Sequence, residues 1–446
     1  MNSTSKISFR KINNLAIPAI ISGIAEPLLS ITDTAIVGNI QLNPTEALAA
    51  VGIAGSFISA IVWILAQTRS AISAIIAQYY GAGKVDKILH LPAQIIAINI
   101  ALSLFIYGVT VFFIENIFEL YNATGLILEQ SVSYYKIRAL GLPLTLFIFS
   151  VFGIFRGMQN TYWPMVISLL GTAINIFLDF ILVFGIDGYI PAMNVEGAAW
   201  ASLMSQGVMA IFAIVLVLKK TPFTFRLRFP FHKEIKRLLS LSFNLIIRTI
   251  SLNIALYLAN AYATKYGANY IAAQTIAFQI WLFFAFFIDG YSSVGNIMSG
   301  RFLGEKNYVQ IWNLNKQLMK YTLIISAGLG VICFAFYNPI GKLFSQDQEV
   351  LSLFASIFWI VILMQPINAV AFVFDGIFKG LAEAVLLRNT LLAATFFGFI
   401  PTLLLGDYFD LKLYAIWIAF TVWMILRGGI LLVIFYRKFF PYKRLA

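Results

Sequence analysis

Twelve apolar stretches of about 20 residues run the length of this chain, each ending at polar or charged positions. They cover 14–38, 47–68, 91–113, 131–153, 163–185, 196–218, 237–263, 270–297, 318–338, 350–373, 385–405 and 412–437. A helix rising 1.5 Å per residue needs about 20 residues to cross a hydrocarbon layer of about 30 Å. The stretches are continuous, whereas barrel strands alternate apolar and polar residues. In hydrocarbon every backbone polar group must find its partner inside the protein, so continuous apolar runs imply helices. The expected fold is an all-α polytopic membrane protein with twelve transmembrane helices. Composition agrees: 60% of the 446 residues are hydrophobic and 11% charged, against about 25% charged in a soluble chain. No A-x-A-like site follows the first apolar run, so that run is expected to persist as a helix.

The polar remainder orders the spans. Lys6, Arg10, Lys11, Lys84, Lys87, Arg156, Arg301, Lys306, Lys379, Arg388, Arg437, Lys438, Lys443 and Arg444 gather on one side, with the basic loop 219–237. The opposite loops carry Glu46, Glu115, Glu119, Asp187, Glu196, Asp347, Asp407 and Asp410. Basic loops mark the cytoplasmic side, which places both termini and the central loop there, in a bacterial inner or plasma membrane. The net charge of +12 is then a property of loops facing anionic lipid, and no nucleic-acid partner is expected. One cysteine, Cys333, and two histidines, His90 and His232, leave no intrachain disulfide and no soft-ligand metal cluster. No cofactor is expected.

The chain repeats itself. SAIIAQYYGAGK (73–84) echoes NIMSGRFLGEKN (296–307), and RALGLPLTLFIFSVFGIFRGMQN (138–160) echoes VILMQPINAVAFVFDGIFKGLAE (361–383). Gly81 and Gly304 are 223 residues apart, as are Pro143 and Pro366, Gly153 and Gly376, and Gly157 and Gly380. Two pseudo-symmetric six-helix lobes are expected, 1–218 and 237–446, with 219–236 as a cytoplasmic inter-lobe loop. Repeats with an even number of spans insert in the same orientation, a class found among transporters that work by alternating access.

The candidate ionisable residues in or beside the apolar spans are Glu26, Asp33, Asp179, Arg248, Asp289 and Asp375. Such residues are functional candidates, because a charge at a helix centre costs about 2.5–3.5 kcal/mol. Asn175 and Asp179 stand four residues apart and share a helix face. Together with Asp33, the Ser202 hydroxyl and the carbonyl of Ala198, they compose an oxygen-rich cation site. That set suits Na⁺ at Asp33, Asn175, Asp179 and Ser202, or a proton held between two close carboxyls. A hydrogen-bonded polar cluster that locks the lobe would contain the same residues. Glu26, two turns before Asp33, lies beside Pro27, which removes a backbone hydrogen bond and is expected to kink the span. Arg248 and Asp289 are expected to form a buried structural or gating pair. Asp289 is also a candidate for the cavity wall, alongside Glu26. Asp375 and Lys379, at i and i+4, are expected to bridge along their helix. Trp281 and Phe284 offer ring faces to a cationic substrate, or pack against neighbouring helices.

SITDTAIVGN (30–39), NIFLD (175–179) with GAAWAS (197–202), and the paired GIFRG and GIFKG segments resemble multidrug and toxic compound extrusion (MATE) transporters. AAQTIAFQIWLFFAFFIDGYS (272–292) resembles the DinF-like branch of that family. The resemblance implies two six-helix lobes, cation coupling at Asp33 and Asp179, and a site lined by Asn175 and Ser202. It also implies export of small amphipathic, cationic organic compounds by H⁺ or Na⁺ antiport, by a monomer in the bilayer. A lipid-linked-precursor flippase would share the architecture. A membrane-embedded enzyme would need a nucleophile system or a metal cluster, and the sequence contains neither.

Overall fold

The computed structural model describes residues 7–445 except 42 and 187; for 26, 30, 444 and 445 it describes the backbone only. The chain is all-α: α1 (Phe9–Val37), α2 (Pro44–Leu65), α3 (Gln67–Gly81), α4 (Leu91–Glu119), α5 (Gly125–Ala139), α6 (Leu142–Gly157), α7 (Tyr162–Phe184), α8 (Asn194–Lys220) and α9 (Glu234–Tyr266). There follow α10 (Ala268–Gly304), α11 (Tyr308–Ala335), α12 (Tyr337–Phe344), α13 (Gln348–Leu363), α14 (Gln365–Gly380), α15 (Ala384–Ala393), α16 (Ile400–Tyr408) and α17 (Leu413–Phe439). Among the described residues ten spans are long and apolar enough to cross a bilayer, and counting each of two bent pairs, α5 with α6 and α13 with α14, as one span brings the number to twelve. α1 runs unbroken through Pro18 and Pro27, because membrane helices tolerate a missing backbone bond where neighbouring groups re-satisfy the carbonyl.

The 223-residue interval reappears in the element boundaries, since α6 and α14 begin and end 223 residues apart. Both bends follow from sequence. Pro143 and Pro366 stand in the first turn of α6 and α14, where the missing N–H is harmless but the preceding helix cannot continue through the ring. The resulting angles are 44° and 47°.

Contacts divide the chain into two compact units. One comprises Ile21–Ser73 and Lys84–Leu239; the other comprises Ser240–Ala446 together with Met1–Ile20 and Ala74–Gly83. The division therefore runs through α1, α3 and α9, and leaves the central connection wholly in the first unit. The connection itself is no free linker. The buried side chain of Gln94, in α4, donates to the carbonyl of Arg228 at 2.6 Å and accepts from the His232 N–H at 2.8 Å, tying the connection into the first unit.

The GIFKG segment explains a close helix contact of the second unit. Gly376 and Gly380 are spaced as a G-x-x-x-G pair, which lets helix backbones approach closely. α14 lies so near α10 that a Cβ on Gly376 would fall 2.0 Å from the Ser292 carbonyl oxygen, and one on Gly380 2.2 Å from that of Asn296. Ser299 Oγ donates to the Ile377 carbonyl at 2.9 Å across this contact. Gly376→Ala must push the two backbones apart. A loss of roughly 1–3 kcal/mol is expected, as for other overpacked interiors, and thermal unfolding of the detergent-solubilised protein measures it.

Candidate cation and substrate site

The first unit carries its polar residues on α1, α5, α7 and α8. Asp33 (α1), Asn175 and Asp179 (α7) and Ser202 (α8) are all buried, Asn175 and Asp179 completely. The four come together although they are far apart in the chain. Ser202 Oγ donates to Asp33 Oδ2 at 3.2 Å. The Asn175 amide is oriented by its neighbours: carboxylates only accept, so its nitrogen belongs on their side. So placed, it donates to Asp33 Oδ1 at 3.1 Å and Asp179 Oδ2 at 3.3 Å, while its oxygen accepts from the Ser202 N–H at 3.3 Å. One amide nitrogen thus holds two carboxyls. Asp179 Oδ1 meets no donor among the described residues. Ala198 lies one turn before Ser202, buried, with its carbonyl inside the α8 ladder.

Asp33 and Ser202 also line a cavity of about 120 Å³ within this unit. Its wall carries two cations absent from the sequence-derived site, Arg69 and Arg138, and the ring of Tyr134. Arg138 Nη1 donates to Gln206 Oε1 at 2.7 Å, and Thr145 Oγ1 to the same oxygen at 3.1 Å. Gly141 makes room for this grip: a Cβ there would lie 1.9 Å from the Gln206 amide. The Arg69 guanidinium lies 5.5 Å from the Phe149 ring centre. The signal for Arg138 is weak in sequence, because YYKIRAL reads as the polar end of a span. Glu26 lies on α1, and its side chain is outside the described residues.

The second unit corrects several expectations. Arg248 (α9) pairs with Asp375 (α14) rather than Asp289, and Arg427 (α17) donates to the same carboxylate oxygen. All three side chains are buried. Asp375 bridges to these arginines and not along its helix to Lys379, because two guanidinium forks from facing helices reach it first. Asp289 is half-buried. Arg427, in ILRGG, escaped the sequence reading although it too stands inside an apolar span. Trp281 and Phe284 belong to the apolar core; Trp281 stacks at 5.5 Å on Phe278 and 6.3 Å on Phe420. Nearby, a π-helical turn at Ala394–Phe399 presents Thr395, whose hydroxyl accepts from Ser251 Oγ and Trp423 Nε1, both at 3.0 Å. Such turns commonly accompany functional sites.

A duplicated twelve-span helical chain with a buried carboxyl pair beside a cavity defines a membrane transporter rather than an enzyme. A sequence model of the MatE family matches residues 18–181 and again 245–404. The chain belongs to that family. It is 26% identical over 421 residues to DNA damage-inducible protein F of Escherichia coli, covering 93% of this chain and 89% of that protein. It is 24% identical over 437 residues to the probable multidrug resistance protein NorM of Thermotoga maritima, covering 96% and 92%. In three dimensions it resembles a MATE transporter crystallised in a bent conformation (TM-score 0.90, 20% identity, 98% and 96% covered). It also resembles the Vibrio cholerae MATE transporter VcmN in its bent form (TM-score 0.88, 17% identity, 97% of each chain covered).

Proposed function

We propose that this protein is a secondary active exporter of amphipathic organic compounds, driven by cation antiport through alternating access, with the proton as the coupling ion. The observation that carries the reading is the pair of carboxyls, Asp33 and Asp179, held on one amide nitrogen beside a cavity, with Asp179 Oδ1 lacking a donor. A buried carboxylate oxygen without a donor carries a desolvation penalty, which a proton shared between the two carboxyls removes. Loading takes the pair from a charge of −2 to −1; release restores the second negative charge, which Ser202 and Asn175 then stabilise. A bare Na⁺ wants oxygens on every side, and here an amide nitrogen occupies that position unless the Asn175 side chain turns over. Asp33 faces the cavity, so its charge state acts directly on what the cavity holds. The basic loops support a cytoplasmic placement of both termini.

Reconstitution tests this. Proteoliposomes loaded with ethidium are subjected separately to a pH gradient and to a Na⁺ gradient. Efflux driven by the pH gradient alone is expected. Efflux under the Na⁺ gradient alone would transfer the coupling to sodium. Efflux under neither, with loss of envelope synthesis on gene deletion, would favour a lipid-precursor flippase.

A further inference from the structure

We propose that the cavity of the first unit receives its substrate through an acidic group, an aromatic carboxylate held by Arg138 and Arg69. The proposal rests on the exporter reading and replaces a cationic substrate with an organic acid or zwitterion. Among the described residues lining the cavity, the charged side chains are Asp33, Arg69 and Arg138, two cations against one anion in the wall itself, with Asp179 close behind it. Asp33 is committed elsewhere. It is 4% exposed, and its oxygens already accept from Ser202 and Asn175. A substrate cation would have to compete there with the coupling ion.

Arg69 and Arg138 also line the cavity. Arg138 lies in the field of Asp33 and Asp179, with Tyr134 one turn before it on α5. Gln206 fixes one of its Nη atoms. A guanidinium has five donors in a planar fork, and anchoring one nitrogen orients the plane without exhausting it. That geometry matches the two oxygens of a carboxylate, which a single ammonium would not. Arg69 adds a second cation whose plane is backed by Phe149. The wall also supplies apolar and aromatic surface, including Phe152, Ile148 and Leu29, interspersed with the hydroxyls of Ser22, Ser59 and Ser168. At about 10–15 Å³ per water site, a cavity of about 120 Å³ has room for a one- or two-ring acid.

The test uses the whole protein in lipid nanodiscs and three matched probes: 2-naphthoate, its methyl ester and 2-naphthyl-trimethylammonium. Binding to protein-free nanodiscs is subtracted. A charge-assisted, bidentate contact is expected to make 2-naphthoate bind at least about tenfold more tightly than the ester. In Arg138→Gln that ratio should fall towards one, with Arg138→Lys retaining part of it and Arg69→Gln reducing it. An ester that binds as well as the acid, a trimethylammonium probe that binds best, or a preference unchanged in both glutamine variants would overturn the proposal. The ester comparison is made on the unaltered protein, so a variant that fails to fold does not shelter the idea. Efflux of 2-naphthoate from proteoliposomes of the same protein, driven by a pH gradient, separates the two readings. Coupled efflux without acid preference removes the acidic handle alone, and acid preference without coupled efflux removes the exporter alone.

Discussion

Asp33→Asn is expected to lower pH-driven ethidium efflux by roughly 10- to 100-fold, the worth of a hydrogen bond to a charged group, while leaving the fold intact. The substitution preserves shape and keeps an oxygen for Ser202 Oγ, 3.2 Å away in the native protein. It removes the group that can gain and lose a proton. It also sets a second amide against the Asn175 nitrogen, which now donates to Asp33 Oδ1 at 3.1 Å, so two donors would face each other unless one amide turns over. Asp179→Asn should fail in the same assay, because Asp179 is fully buried and shares that nitrogen. The two losses should not add when combined, since either substitution alone breaks the pair. Binding of substrate under equilibrium should survive in both variants. An Asp33→Asn protein that exports as well as wild type would remove Asp33 from the coupling step.

Much of the fold is legible in the sequence because membrane insertion makes it so. Twelve apolar runs prescribe twelve spans, and the 223-residue repeat locates Pro143 and Pro366, whose rings bend two of those spans by 44° and 47°. The repeat does not locate the division into units. Residues 7–20 and 74–83 join the second unit through packing that no local pattern announces. Pro27 illustrates the converse, a breaker whose effect α1 absorbs.

The site was legible where it is local. Asn175 and Asp179 share a face by their spacing alone. Their union with Asp33 and Ser202 depends on how three helices pack, and follows only if the first, fifth and sixth spans share a lobe. Arg138 was obscured by position, since a cation near a span end reads as a topology signal. Arg427 was obscured by nothing: a guanidinium inside the run 412–437 meets the same criterion that singled out Arg248. The partner of Arg248 is another matter. Asp289 and Asp375 were both available in neighbouring spans, and only the approach of α14 to α9 and α17 chooses Asp375.

Asp375→Asn is expected to destabilise the second unit by roughly 3–5 kcal/mol, the usual consequence of stripping one partner from a buried ionic group. Asp375 is the acceptor for two arginines that are 4% and 2% exposed. Arg248 also feels Arg427 and Asp289, and Lys379 feels all of these charges. Three cations against two anions leave the cluster at +1, and removing Asp375 takes it to +2 with nothing to receive the two forks. Arg427→Met instead leaves a one-to-one pair of Arg248 and Asp375, and should cost less, about 1–3 kcal/mol. Replacing Arg248, Asp375 and Arg427 together with Met, Leu and Met removes the whole ionic triad at once and leaves Lys379 and Asp289 as one cation against one anion. By the behaviour of other buried ionic triads it should restore stability close to that of the native protein. Thermal unfolding in detergent, followed through the buried Trp417 and Trp423, ranks the variants. If the triple variant is stable and still exports ethidium, the cluster is a packing device of the second unit. If it is stable and silent, the charges themselves serve transport. An Asp375→Asn protein that unfolds like wild type would show that the two arginines find other partners.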